Sequence, residues 1–104
     1  MHTLVDFCLI PLSSSLSLSP YIAKCQKILA NYPLTCTLHA YGTTIEGDWD
    51  SIFLAIKECH KLLHQDGVPR IHTQLKIGTR IDKTQSAADK VRSVHDKMED
   101  SHVD

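Results

Sequence analysis

Apolar and polar positions alternate from Thr3 to Ile10. Thr3, Val5, Phe7 and Leu9 fall on one side and Leu4, Asp6, Cys8 and Ile10 on the other. A period of two predicts a β-strand with one apolar and one mixed face. Pro11 is expected to end it. After the serine-rich stretch Ser13 to Ser19 the period changes. Ser19-Pro20 reads as a helix N-cap followed by proline at the first helical position. Tyr21, Cys25, Ile28, Leu29 and Tyr32 then recur at i, i+4, i+7, i+8 and i+11, one apolar helical stripe, with Lys24, Gln26 and Lys27 off it. Asn31 and Pro33 close that helix.

Alternation returns from Leu34 to Tyr41, with Leu34, Cys36, Leu38 and Ala40 on one face and Thr35, Thr37, His39 and Tyr41 on the other. Gly42-Thr43 reads as a turn into a short strand, Thr44 to Gly47, so the two strands form a hairpin. Asp48 is a suitable N-cap for a helix from Trp49 to about Gln65, whose stripe is Trp49, Ile52, Phe53, Ile56, Cys59 and Leu63. Asp66-Gly67 ends it. Arg70 to Ile81 alternates as a fourth strand, and Ser86 or a neighbour opens a last helix with the modest stripe Ala87, Val91, Val94 and Met98. Glu99 to Asp104 is polar and expected to fray.

The order β-α-β-β-α-β, with an added C-terminal helix, matches the split βαβ, ferredoxin-like plan: an α+β sandwich of one antiparallel sheet with both crossover helices on one face. The expected core face of the sheet is Val5, Phe7, Leu9, Leu38, Ile71, Leu75 and Ile77.

Size and charge narrow the classes. With 104 residues, 42% hydrophobic and 22% charged, the chain makes one domain, 1–104, and is not disordered as a whole. Eleven Lys and Arg against twelve Asp and Glu leave a net charge of −1, without the basic surplus that neutralises phosphates, so no nucleic-acid partner is expected. No stretch reaches the roughly 18 apolar residues of a membrane span. The apolar start carries Asp6 and lacks a basic region, so it reads as a strand rather than a signal peptide. Four cysteines without a C-x-x-C pair are read as reduced thiols in a cytoplasmic protein.

The sheet face away from the helices is the informative one. By alternation it carries Asp6, Cys8, Thr37, His39, Tyr41, His72, Gln74 and Lys76, with Leu4 and Ile10 among them. Either a second subunit covers this face or it lines a ligand site; the two are compatible. No metal is expected. Asp6, Cys8, His39 and His72 are ligand types without diagnostic spacing, and His60-Lys61-Leu62-Leu63-His64 lacks the glutamate of a zincin helix. There is no nucleophile elbow and no Gly-rich phosphate loop. Cys25, Cys36 and Cys59 fall on core positions, which leaves Cys8 or His39 as the only seeds of a hydrolase.

Three segments carry a family resemblance: Gly42-Thr43-Thr44-Ile45-Glu46-Gly47 with Asp48-Trp49, Lys76-Ile77-Gly78-Thr79-Arg80-Ile81-Asp82-Lys83, and Lys90-Val91-Arg92-Ser93-Val94. Together with Ile10-Pro11-Leu12 they make the chain resemble the small thiamine-binding-protein-like family from about Thr3 to Glu99. The resemblance implies a non-enzymatic cytosolic binder that forms a homotetramer as a dimer of dimers. It also implies thiamine, or its hydroxymethylpyrimidine half, as ligand rather than cofactor.

An aminopyrimidine offers a ring-nitrogen acceptor and an amine donor, and a thiazolium favours an aromatic face or a carboxylate. Asp6, His39, Tyr41, Thr43, Thr44, Glu46 and Trp49 are residues of the right types. They put the expected site at the Thr43-to-Trp49 corner, reaching onto the open sheet face. Four of them also have a simpler reading: turn chemistry for Thr43-Thr44, core packing for Trp49, an ion pair with Arg80 or Lys83 for Glu46. Arg80 and Lys83, with Lys90, are candidates for an anion such as a phosphorylated vitamin, or else a solvated cluster with Asp82. A structural or regulatory homo-oligomer without a small ligand is the alternative function.

Overall fold

The computed structural model describes residues 1–12, 17–84 and 86–100. The elements run β1 (His2–Leu12), α1 (Ser19–Leu29), β2 (Thr35–His39), β3 (Gly42–Asp48), α2 (Trp49–Gln65), β4 (Arg70–Thr79) and α3 (Ala87–Asp100). The sheet has the order β2-β3-β1-β4 with every neighbouring pair antiparallel, the ferredoxin-like arrangement with α3 appended. Most of the expected connection Ser13–Ser19 and the last four residues lie outside the described residues.

The two periodicities meet in one core. Val5, Phe7 and Leu9 of β1 and Ile45 of β3 pack against Cys25 and Leu29 of α1 and Ile52, Ala55, Ile56, Cys59 and Leu63 of α2. Tyr21, Ile28, Tyr32, Ile71 and Leu75 close its sides. Local signals hold α2 at both ends. The Asp48 carboxylate accepts the Asp50 N–H at 3.1 Å, a side-chain N-cap. At the other end Gly67 takes φ +94°, its N–H reaches the His64 carbonyl, and the Val68 N–H reaches the Leu63 carbonyl. This is a Schellman motif, and Val68 and Leu63 supply its buried apolar contact.

Several local expectations are corrected. Pro11 does not stop β1, which runs on to Leu12. Beyond Phe7 the strand pairs only with β4, so a residue lacking an N–H can sit there with its nitrogen toward the unpaired side. Ser19 is inside α1; the N-cap is Leu18, whose carbonyl accepts from Tyr21 and Ile22, without a side-chain cap. The hairpin turn is Ala40-Tyr41, not Gly42-Thr43, because β2 ends at His39 and pairs it with Gly42. Leu38 and Ile77 have the expected side but are 57% and 42% exposed. They lie on the two edge strands, and α2 covers β1 and β3 instead.

α3 begins with a reciprocal cap, Ser86 N–H to the Asp89 carboxylate and Asp89 N–H to the Ser86 hydroxyl, both at 3.0 Å. None of its residues is buried, and Val91, Val94 and Met98 are exposed. The radius of gyration is accordingly 16.3 Å, against about 13 Å for a compact chain of this length.

Candidate functional site: a groove beside α1

The β2–β3 hairpin is shorter than β1, and its turn stops level with Phe7 while β1 continues for five residues. α1 passes over the gap. The result is a groove of about 650 Å³ floored by Phe7 to Ile10, walled by Ile22 and Gln26 of α1 and Thr43 of β3, and rimmed by Leu18, Leu38, His39 and Tyr41. Its lining is mostly apolar. Leu18 and Leu38 are exposed at 45% and 57%, so the rim presents apolar surface to a visitor rather than to the core.

Two polar devices sit in this groove. In its wall, the Gln26 side-chain N–H donates to the Thr43 hydroxyl at 2.9 Å, and Thr43 is buried. At its rim, His39 reaches across β3 to Asp6 of β1, with Nε2 3.1 Å from the carboxylate. The Tyr41 N–H donates to His39 Nδ1 at 3.4 Å. Nδ1 therefore accepts, and Nε2 carries the proton toward Asp6. Gly42 lies between the two strands at this point. A Cβ there would be 2.5 Å from the Phe7 carbonyl oxygen, so only glycine admits the close backbone approach.

The structure divides the residues singled out by sequence. His39, Tyr41 and Thr43 line the groove, and Asp6 joins them through His39. Tyr41 is not on the open sheet face; it is in the turn, 87% exposed. Thr44 and Asp6 line a second, shallower recess on the open face with Leu4, Lys76, Gly78 and Lys90. The Glu46 carboxylate accepts the Ala87 N–H at 2.6 Å and so tethers α3; no ion pair with Arg80 or Lys83 is seen. Trp49 starts α2 beside Phe53, ring centroids 4.8 Å apart. It lies six residues beyond Thr43, about 20 Å along an extended strand. The expected corner is therefore two places at opposite ends of β3.

Arg80 is held by Asp82, its Nε donating at 2.6 Å, and the guanidinium pulls the Asp82 carboxyl down to about 2. Lys83, next to this pair in the chain, is exposed. His60 and His64 do not converge on a shared ligand: His60 Nε2 is 2.6 Å from the Thr73 hydroxyl, and His64 Nδ1 donates to the Val68 carbonyl at 2.8 Å. Among the described residues no group of three His, Cys, Asp or Glu is placed to hold a metal ion. Cys25 and Cys59 are buried side by side between the helices, where their mutual hydrogen bond, and then burial, push the Cys59 thiol far up, while the same bond lowers Cys25. Cys8 is half-buried in the groove floor.

Sequence reasoning placed Gln26 with the solvent-facing lysines of α1. The available signal was its neighbour four residues earlier, Ile22, which continues an apolar flank beside the main stripe and also lines the groove.

Comparison with known proteins agrees with this architecture. A UPF0045 protein of Synechocystis sp. is 48% identical over 101 residues, covering 97% of this chain and 84% of its own. A UPF0045 protein of Eremothecium gossypii is 46% identical, covering 96% of each. The crystal structure of a hypothetical protein from Methanocaldococcus jannaschii superposes with a TM-score of 0.84 at 33% identity over 90% of this chain and 96% of that one. A candidate thiamine biosynthesis/salvage protein from Thermotoga maritima shares the fold, with a TM-score of 0.76 at 20% identity, over 90% of this chain and 99% of that one. No helix among the described residues is long and apolar enough to cross a membrane. The family model described as "Thiamine-binding protein" matches residues 5–95, nearly the whole folded chain, and the protein belongs to that family.

Proposed function

We propose that this protein is a non-enzymatic, cytoplasmic binder of thiamine or its hydroxymethylpyrimidine half, taken up in the groove between α1 and the β2–β3 turn. One observation carries the reading. A groove of about 650 Å³, mostly apolar, holds a few polar groups: the Gln26–Thr43 pair in its wall and, at its rim, His39, which pairs with Asp6 of the open sheet face. That is the size and make-up of a small-molecule site. Tyr41 at the rim supplies an aromatic face, and Asp6 a carboxylate, for a cationic thiazolium. Thr44, Glu46 and Trp49 fall outside this proposal because they point to the open face, to α3 and to Phe53.

Binding without turnover suits the site. The Cys36 thiol is raised by burial, and the Cys59 thiol by its hydrogen bond with Cys25 and then by burial, so neither is activated as a nucleophile. The assembly proposed with this function is a homotetramer built as a dimer of dimers. It is supported by the uncovered apolar stripe of α3 and by the open sheet face, where Leu4 and Ile10 sit among polar groups. Titration calorimetry and thermal shift with thiamine and with hydroxymethylpyrimidine test the reading. A saturable heat and a raised melting midpoint are expected, since a ligand that binds only the folded form stabilises it. No heat and no shift with either compound would leave a structural or regulatory oligomer as the function.

A further inference from the structure

The Gln26–Thr43 contact is made between two side chains that both line the groove, one from α1 and one from β3. Each group keeps unused capacity. Gln26 spends one amide N–H on the Thr43 oxygen, which leaves its carbonyl oxygen as an acceptor. Thr43 accepts that bond through one lone pair, which leaves its own O–H as a donor. A donor and an acceptor thus stand side by side, locked to one another, in a mostly apolar lining. Turning the amide over exchanges the two roles and preserves the pairing.

We infer that Gln26 and Thr43 are the specificity-determining pair of this groove, reading the edge of a planar nitrogen heterocycle that carries an amine next to a ring nitrogen. The ring nitrogen accepts from the Thr43 hydroxyl and the amine donates to the Gln26 carbonyl. The ring itself packs on the apolar lining of Leu18, Ile22 and Leu38. This inference rests on the proposed ligand reading and extends it. It assigns recognition to the amine-bearing edge, and to a glutamine on the helix rather than to a carboxylate of the sheet. Discrimination follows from burial: a ring lacking the amine fills the same space but leaves the Gln26 oxygen without a partner, and an unpaired buried acceptor is more costly than a merely absent contact.

The test is a cycle of two ligands and three proteins, read by calorimetry. The ligands are 4-amino-5-hydroxymethyl-2-methylpyrimidine and its analogue with hydrogen in place of the amine. The proteins are the wild type, Gln26→Leu and Thr43→Val, with melting midpoints recorded to confirm folding. In the wild type the amine should be worth about tenfold or more in affinity. In Gln26→Leu, which removes only a half-buried side-chain amide, the two ligands should bind within about threefold of each other. Thr43→Val keeps the shape and should also shrink the difference. The proposal is overturned if the amine is worth nothing in the wild type, or if its full worth survives in Gln26→Leu, which would place its partner elsewhere. In both of those cases pyrimidine binding itself still stands. A wild type that binds neither pyrimidine nor thiamine overturns the proposed function, and this inference with it.

Discussion

The Glu46 carboxylate on β3 accepts the Ala87 backbone N–H at the start of α3, 2.6 Å away and 41 residues along the chain. A carboxylate at a helix N-terminus satisfies an orphan donor and meets the positive end of the helix dipole. With Lys90 lining the open-face recess beside Leu4 and Asp6, this bond fixes where α3 leaves the sheet. Glu46→Ala should cost about 1 kcal/mol and speed hydrogen exchange in the first turn of α3. Glu46→Gln retains an acceptor and should do less. Unchanged exchange in both variants would remove the tether from the account.

The two glycines of β3 should respond differently to the same added methyl. At Gly42 a Cβ meets the Phe7 carbonyl oxygen at 2.5 Å, a backbone atom that cannot turn away. At Gly47 the atom at that distance is the end of the Leu34 side chain, which can. Gly42→Ala is expected to destabilise by about 1–3 kcal/mol and to widen the groove, and Gly47→Ala to cost clearly less. Urea midpoints compare them, and an equal loss would contradict the difference in neighbours.

Mild acid should weaken the fold through His60. Partial burial and the neighbouring His64 lower its pKa below the ordinary 6.5. Between that value and the depressed folded one, the unfolded chain binds more protons than the folded one, so stability falls as pH drops. The lowered carboxylates of Asp48, Asp82 and Asp89 act only below 3.8, outside this window. The urea midpoint should therefore be lower at about pH 5 than at about pH 7.5, and His60→Gln should reduce the drop. A drop of the same size in the variant would place its source elsewhere.

Assembly is expected to depend on a surface that the single chain does not use. Val91 and Val94 are 57% and 60% exposed, so replacing both by serine removes almost no contact within the chain. Light scattering should give about four times the chain mass for the wild type and a smaller species for the double variant, with the far-UV spectrum unchanged. A wild-type monomer at micromolar concentration would refute the proposed tetramer.

Much of the fold is written in short-range pattern. The alternation of Thr3 to Ile10 and of Arg70 to Ile77, the stripe of α1 and the Asp48 and Asp66-Gly67 ends of α2 are properties of neighbouring residues. Helix stripes, caps and strand faces follow from the backbone period alone. The sequence by itself thus determined the element order, the sheet class and most of the core. Tertiary structure decided what depends on which strand lies beside which, and for how far. Pro11 is tolerated because β1 outruns β3. Leu38 and Ile77 stay exposed because their strands are edges. Asp6 meets His39 across 33 residues of chain, and Gln26 meets Thr43 across 17. Thr43 and Trp49, close in sequence, are held apart because an extended strand separates its ends by about 3.3 Å per residue. The groove exists because a hairpin stops short of its neighbour beneath a helix, a difference in lengths that only the paired sheet makes into a space.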